Sequence, residues 1–204
     1  MARSMVLFRD DLRLADHPAL SKACKDKRDI ICLLMLDKGS KIRPMGGAAR
    51  WWLHDAIASL RASLRQHHGD LLIVEGDARE IVPHLARHFE ISDVYAHYRY
   101  GPAERDIDAS IGKALGRDDI GFHQYHAAVL CPPENIKNGA GQAFKVFSAF
   151  WRAIADKRNR GKARFQSEIA WRDFAIYNLL HSPDMTTANL PPNSITWRGG
   201  MSRK

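Results

Sequence analysis

The chain has 204 residues, 45% of them hydrophobic, and carries a formal net charge of +8. That length suits one large domain, or one domain with an extension, and it can bury a core without disulfides or a structural metal. No apolar run approaches the length of a membrane helix, and no signal peptide stands at the N-terminus, so the expectation is a cytoplasmic protein without membrane contact. The three cysteines, Cys24, Cys32 and Cys131, share no metal-type spacing and read as reduced thiols. A basic balance favours a polyanion such as DNA or RNA, or an anionic cofactor. The densest charge, Lys157–Arg164, reads either as a solvated linker or as a phosphate-tracking patch.

In chain order, Ser4–Phe8 reads as a first strand. It breaks into the charged loop Arg9–Asp16, and then Asp16 or His17 caps a helix over Pro18–Lys27, with Pro18 in its first turn. Ligands in open α/β folds gather at the carboxyl ends of strands, so Arg9–Asp16 is the first place to expect a site. Arg9 and Arg13 either face a ligand there or pair with Asp10, Asp11 or Asp16. Asp29–Leu36 is nearly all apolar, as a parallel strand buried on both faces requires. Over Ala48–His67, Leu53, Ile57, Leu60 and Leu64 recur at helical steps, and Gly69 follows as a stop. Strand Asp70–Glu75, helix Asp77–Phe89 with Ile81, Leu85 and Phe89 on one stripe, strand Asp93–Tyr98, helix Pro102–Leu115 and strand Gly121–His126 continue the alternation. The spacing predicts an α/β fold: a Rossmann-like five-stranded parallel sheet with helices on both faces.

Neither a G-x-G-x-x-G turn nor a Walker A loop is present, which argues against a standard dinucleotide site. Residues 131–142 are loop chemistry, and Ala143–Arg152 is aromatic-rich and resumes ordered structure. Ser167–His181 reads as a final short helix, followed by a polar tail. His84 and His88 lie one turn apart but no third ligand is placed, so a solvated helix face is expected and no metal. His67 and His68 sit at a helix end, where the dipole welcomes positive charge.

The stretch Val6–Leu20 resembles the opening of the DNA photolyase/cryptochrome family, Trp/Leu-Phe-Arg-x-Asp-Leu-Arg-Leu-x-Asp-Asn-x-Ala-Leu, departing at Asp10 and at His17, where the family usually has Asn. The resemblance continues through Gly47–Leu53, through Leu71–Asp77, and through Tyr98–Asp106, similar to Asn-x-x-Tyr-x-Pro-x-x-x-x-Arg-Asp. It extends to Leu130–Pro133 and Gly139–Phe150. The family's flavin-binding Leu-Ser-x-x-Leu-x-x-Gly loop, its tryptophan relay and its aspartate-rich motif find no counterpart. Ser167–Phe174 instead resembles Glu-Leu-x-Trp-Arg-Glu-Phe from the middle of the FAD domain, as after one internal deletion and an early stop. The resemblance thus divides the chain into a photolyase-like, antenna-type α/β domain over residues 1–130, a linker over 131–166 and a fragment of the helical FAD-binding domain over 167–204.

What the resemblance implies is light-driven repair of pyrimidine dimers in DNA through FAD, with Glu168, Trp171 and Arg172 at the lesion cavity. Beside that, Trp171, Phe174, Ile176, Leu179 and Leu180 also read as a plain apolar helix surface, able to pair copies of the chain. The family's second, antenna chromophore would be a folate held by Glu104, where Ala103 replaces the partner Asn, or a deazaflavin or flavin lined by Phe8, Arg9, Asp10, Arg13 and Leu36. Glu104 equally suits a helix N-terminus. Since the FAD-holding sequence is missing, the expectation is a photolyase-type chain unable to repair alone. The alternative is a non-catalytic module for an antenna chromophore, nucleotide or protein, or a cryptochrome-like photosensor remnant.

Overall fold

The structure is a computed structural model that describes residues 3–39, 42, 44–129 and 131–155. The elements are β1 (Arg3–Phe8), α1 (Pro18–Lys25), β2 (Asp29–Asp37), α2 (Gly47–Gln66), β3 (Leu71–Gly76) and α3 (Ala78–His88). Then come β4 (Ile91–His97), α4 (Pro102–Arg117), β5 (Gly121–Tyr125), a 3₁₀ turn (Pro133–Asn135) and α5 (Phe147–Ala155). The strands form one parallel sheet in the order β3-β2-β1-β4-β5. The expected alternation holds. Ends shift by one or two residues, as at β4, which starts at Ile91 because that residue is already buried and paired with Arg3.

β1 is central and its apolar run is explained by position. Met5 and Leu7 point into one layer with Val82 and Ala86 of α3 and Ile107, Ile111 and Leu115 of α4. Val6 and Phe8 point into the other, with Ala19 and Ala23 of α1 and Leu60 and Leu64 of α2. Each fully buried Val, Leu, Ile, Phe or Met among them contributes roughly 1.5–3 kcal/mol. The α3 stripe is turned slightly from the sequence reading: Val82 and Ala86 lie deepest, while Ile81, Leu85 and Phe89 pack at their flanks. α2 buries only Leu60 and Leu64; Leu53 and Ile57 are half-buried, and Trp51 and Trp52 remain 74% and 65% exposed. A third, smaller cluster joins Ile136 to Phe150 and Ile154 of α5.

Of the two cap residues expected for α1, His17 is the one used: its Nδ1 accepts the Leu20 N–H at 3.0 Å. Gly76 ends β3 at φ 147°, where a side chain would collide with Ile81. Among the described residues, no helix is long and apolar enough to cross a membrane. The basic cluster Lys157–Arg164, the expected final helix and the site residues Glu168, Trp171 and Arg172 lie outside the described residues.

The strand order reverses between β1 and β4: the chain runs outward to β2 and β3 on one side and to β5 on the other. In open parallel sheets the ligand crevice lies at such a reversal, outside the carboxyl ends of the strands.

Candidate functional site

In this protein the crevice at the reversal is filled by its own side chains. Where β1 ends, the chain passes from Phe8 to Arg9, which is only 8% exposed. Arg9 Nη1 donates to Asp108 Oδ1 at 2.5 Å, and Nη2 donates to the His97 carbonyl at 2.8 Å. Burial lowers the Arg9 pKa, and the Asp108 charge works against that. Asp108, on the inner face of α4, also accepts from Arg99 Nη2 at 2.5 Å and from Gln124 Nε2 at 2.8 Å. Arg99 lies 3.8 Å from Asp37 at the end of β2, whose other oxygen accepts the Gly39 and Ala78 N–H groups at 3.0 and 3.4 Å. The carboxyl ends of β1, β2, β4 and β5 are thus tied together by one charged network.

Asp11 forms the second half of the plug. One carboxylate oxygen accepts the Arg9 N–H at 2.9 Å. The other lies 3.0 Å from His17 Nε2 and 2.5 Å from His97 Nδ1, and the two imidazole rings lie with centroids 4.0 Å apart, tilted by 30°. His97 Nε2 is buried without a hydrogen-bond partner among the described residues. Burial pushes the Asp11 carboxyl up, but His17, His97 and the Arg9 N–H outweigh it and hold it well below the usual carboxylate range.

One atom each from Asp11, His17 and His97 lie within 4.8 Å of one another, a spacing that metal ligands share. The donor chemistry decides against a cation. His17 already spends its Nδ1 lone pair on the Leu20 N–H, so its proton sits on Nε2, facing Asp11. To bind a metal through Nε2 the ring would have to release the helix cap. The cluster suits a carboxylate shared by two imidazoles. His84 and His88 stack 6.4 Å apart on the exposed face of α3, and no third ligand joins them among the described residues.

The residues expected at an antenna site separate. Phe8 is fully buried, with its ring 4.9 Å from that of His17, and Leu36 packs half-buried against the same layer. Arg9 pairs with Asp108 across the sheet, not with the carboxylates of Asp10, Asp11 or Asp16 that its neighbourhood in sequence offered. Arg13 does stay local: it donates to the Asp16 carbonyl at 3.0 Å and to the Ala127 carbonyl at 3.2 Å. Asp10 and Arg13 are exposed. Glu104 sits at the third position of α4 and folds its carboxylate back over the cap residue Gly101. Sequence reading missed Asp108, His97, Arg99 and Gln124. One signal was present: Asp108 falls beside Ile107 and Ile111 on the apolar stripe of α4, where an unpaired charge would be costly.

Open space begins one strand further on. A cleft of ≈ 390 Å³ lies against the first turns of α4, with Tyr98, Arg105, Asp106 and Gln124 on its walls.

Comparison with known proteins places this arrangement. The DNA photolyase family model matches residues 4–168. A deoxyribodipyrimidine photo-lyase from Agrobacterium fabrum is 31% identical over 150 residues, covering 74% of this chain and 31% of that protein. A cryptochrome DASH from Natronomonas pharaonis is 33% identical over 142 residues, covering 67% of this chain and 30% of that protein. Among solved structures, a bacterial class III photolyase from Agrobacterium tumefaciens superposes with a TM-score of 0.72 at 30% identity, over 79% of this chain and 33% of that one. The chain therefore spans about a third of the length of the relatives it matches.

Proposed function

The chain belongs to the DNA photolyase family, and we propose that its α/β unit is that family's antenna-type module, binding a light-absorbing ligand at the carboxyl edge of the sheet and not splitting pyrimidine dimers by itself. One observation carries this reading: the family match over residues 4–168 takes in the parallel sheet and all its flanking helices, with the carboxyl edge where such sheets hold ligands. FAD, when bound, supplies the photo-reducible centre that repair requires and that no side chain replaces. The described residues do not suit it at the strand reversal. There the first loop is Phe8-Arg9-Asp10-Asp11, without a glycine turn, and an incoming pyrophosphate would meet the Asp11 and Asp108 carboxylates in a crevice already filled.

DNA is the partner that family membership supports. In this reading Glu168, Trp171 and Arg172 contact it and the basic cluster Lys157–Arg164 tracks phosphate, while residues 1–130 hold the antenna ligand, 131–166 connect and 167–204 belong to the FAD-binding part. The test is the absorption spectrum of the purified chain, with and without added folate, deazaflavin, flavin and FAD, together with a blue-light repair assay on an oligonucleotide carrying a thymine dimer. The expected result is chromophore binding without repair. Stoichiometric FAD accompanied by dimer splitting would overturn the reading.

A further inference from the structure

β3 is the outermost strand of the sheet beyond β2, and among the described residues nothing pairs with its free edge. The Lys38 N–H donates to the Gly76 carbonyl at 2.8 Å, so the Gly76 backbone faces β2. Backbone groups alternate in direction along a strand. Leu72 and Val74 therefore face β2 as well, while Leu71, Ile73 and Glu75 turn their N–H and C=O groups outward. The Leu71 N–H donates to the Asp70 carboxylate at 2.8 Å. Among the described residues, the N–H groups of Ile73 and Glu75 and the outward carbonyls are left for a partner.

Exposed edges are ordinarily blunted by charge, proline or a bulge. The centre of β3 has none of these. Its first four residues, Leu71-Leu72-Ile73-Val74, are apolar, its register with β2 is unbroken, and Leu72 and Ile73 are 36% and 39% exposed. The opposite edge differs: β5 carries His123 and Gln124, tied to Asp93 and Asp108. The charges at the two ends of β3 favour pairing. Lys38 pairs with Glu75 at its finish. Arg61 and Arg65 share the Asp70 carboxylate at its start, which leaves one guanidinium charge in surplus.

We propose that the β3 edge is an interface between two copies of this chain, joined antiparallel about a two-fold axis at Ile73 so that their sheets become continuous. The strand is complementary to itself in this arrangement. Ile73 lies opposite Ile73, where the two exchange both backbone hydrogen bonds, and Leu71 lies opposite Glu75, so every outward residue meets an outward residue. The Glu75 carboxylate of one copy comes beside the surplus guanidinium of the other. An axis of this kind stands perpendicular to the sheet, which keeps both α2 helices on one face, antiparallel across the seam. The first half of each, with Trp51 and Trp52 at 74% and 65% exposure, runs toward the second half of the other. Covering the tryptophans, Ile73 and the strand buries about 500 Å² per copy, or about 1,000 Å² in all, which a specific interface requires. The inference is independent of the antenna reading, since it uses the side of the sheet and not its carboxyl end.

The test is sedimentation equilibrium of the full chain from low to high micromolar concentration, with hydrogen exchange read residue by residue. A monomer–dimer equilibrium is expected. The Ile73 and Glu75 amides should gain protection as the dimer forms, while the Leu72 and Val74 amides, bonded to β2, stay protected at every concentration. Ile73→Lys and Ile73→Glu should each be monomeric, because like charges then face each other across the axis, and their equimolar mixture should restore the dimer. Trp51→Gln combined with Trp52→Gln should weaken the dimer about tenfold or more, with the melting temperature of the dilute monomer unchanged. A chain that is monomeric throughout overturns the proposal. So does protection of Ile73 and Glu75 that is independent of concentration, which assigns the edge to the chain's own residues. A dimer retained by both Ile73 variants overturns it and moves the pairing to another surface, such as the apolar residues within 167–181. Monomeric variants whose mixture stays monomeric exclude Ile73 from the axis and overturn it too. Where a variant fails to fold, the exchange pattern of the unsubstituted chain decides.

Discussion

Asp108 carries two guanidinium groups, and the cost of removing it follows from their burial. Arg9 and Asp108 side chains are 6% and 5% exposed, and Arg99 is 12% exposed. Breaking a buried pair leaves an uncompensated charge, typically at a cost of about 3–5 kcal/mol. Asp108→Asn is expected to lose stability of that order in urea denaturation, whereas Asp106→Asn, one turn edge away in solvent, should stay within about 0.5 kcal/mol. Asp11 makes a pH prediction. Burial raises its carboxyl pKa, but the two histidines and the Arg9 N–H lower it further, so the folded value lies below the ordinary 3.8. A depressed folded value means that the stabilisation is complete above the unfolded value and is lost as pH falls through and below it. The melting temperature should therefore drop steeply below about pH 4, and Asp11→Asn should flatten that drop while lowering the plateau at neutral pH.

α1 depends on His17 twice, as its cap and as a fully buried ring. His17→Ala removes the acceptor for the Leu20 N–H, worth about 0.5–2 kcal/mol, and leaves a cavity beside Phe8 and His97. His17→Asn restores the cap chemistry and should recover part of the loss in a thermal melt, the remainder reporting the missing ring. β3 ends on Gly76, where φ is 147° and an added Cβ would lie 2.6 Å from Ile81 Cδ1. Gly76→Ala should cost of order 1–3 kcal/mol by equilibrium unfolding. α2 behaves differently along its length. Leu60 and Leu64 anchor its second half, while Trp51 and Trp52 touch little of the described protein. Replacing both tryptophans by Gln should change stability by no more than about 0.5 kcal/mol each, in contrast to Leu60→Ala, which should cost about 2–5 kcal/mol.

At the scale of the whole molecule, the sheet is built as an α/β module whose expected crevice is closed and whose open cleft lies one strand aside. The strands and helices were legible because their signals are local. A strand buried on both faces must be apolar throughout, as β1 and most of β2 are, and a helix on a sheet must repeat its apolar residues every three or four positions, as Ile107, Ile111 and Leu115 do. The family was legible for a related reason: its motifs lie in the loops that follow those strands, in the right order and spacing. The site was only partly legible. Arg9 stood out as a charge at the end of an apolar strand, but its partner is 99 residues away on α4, and the nearer Asp10, Asp11 and Asp16 looked equally suitable. The sequence by itself determined the layered fold and the edge of the sheet where function gathers, because hydrophobic period and turn chemistry act over a few residues. Which charges pair was decided only in three dimensions. The parallel sheet brings the ends of β1, β2, β4 and β5 together, and in that dry, crowded space each buried charge has to be matched by whichever partner the topology delivers.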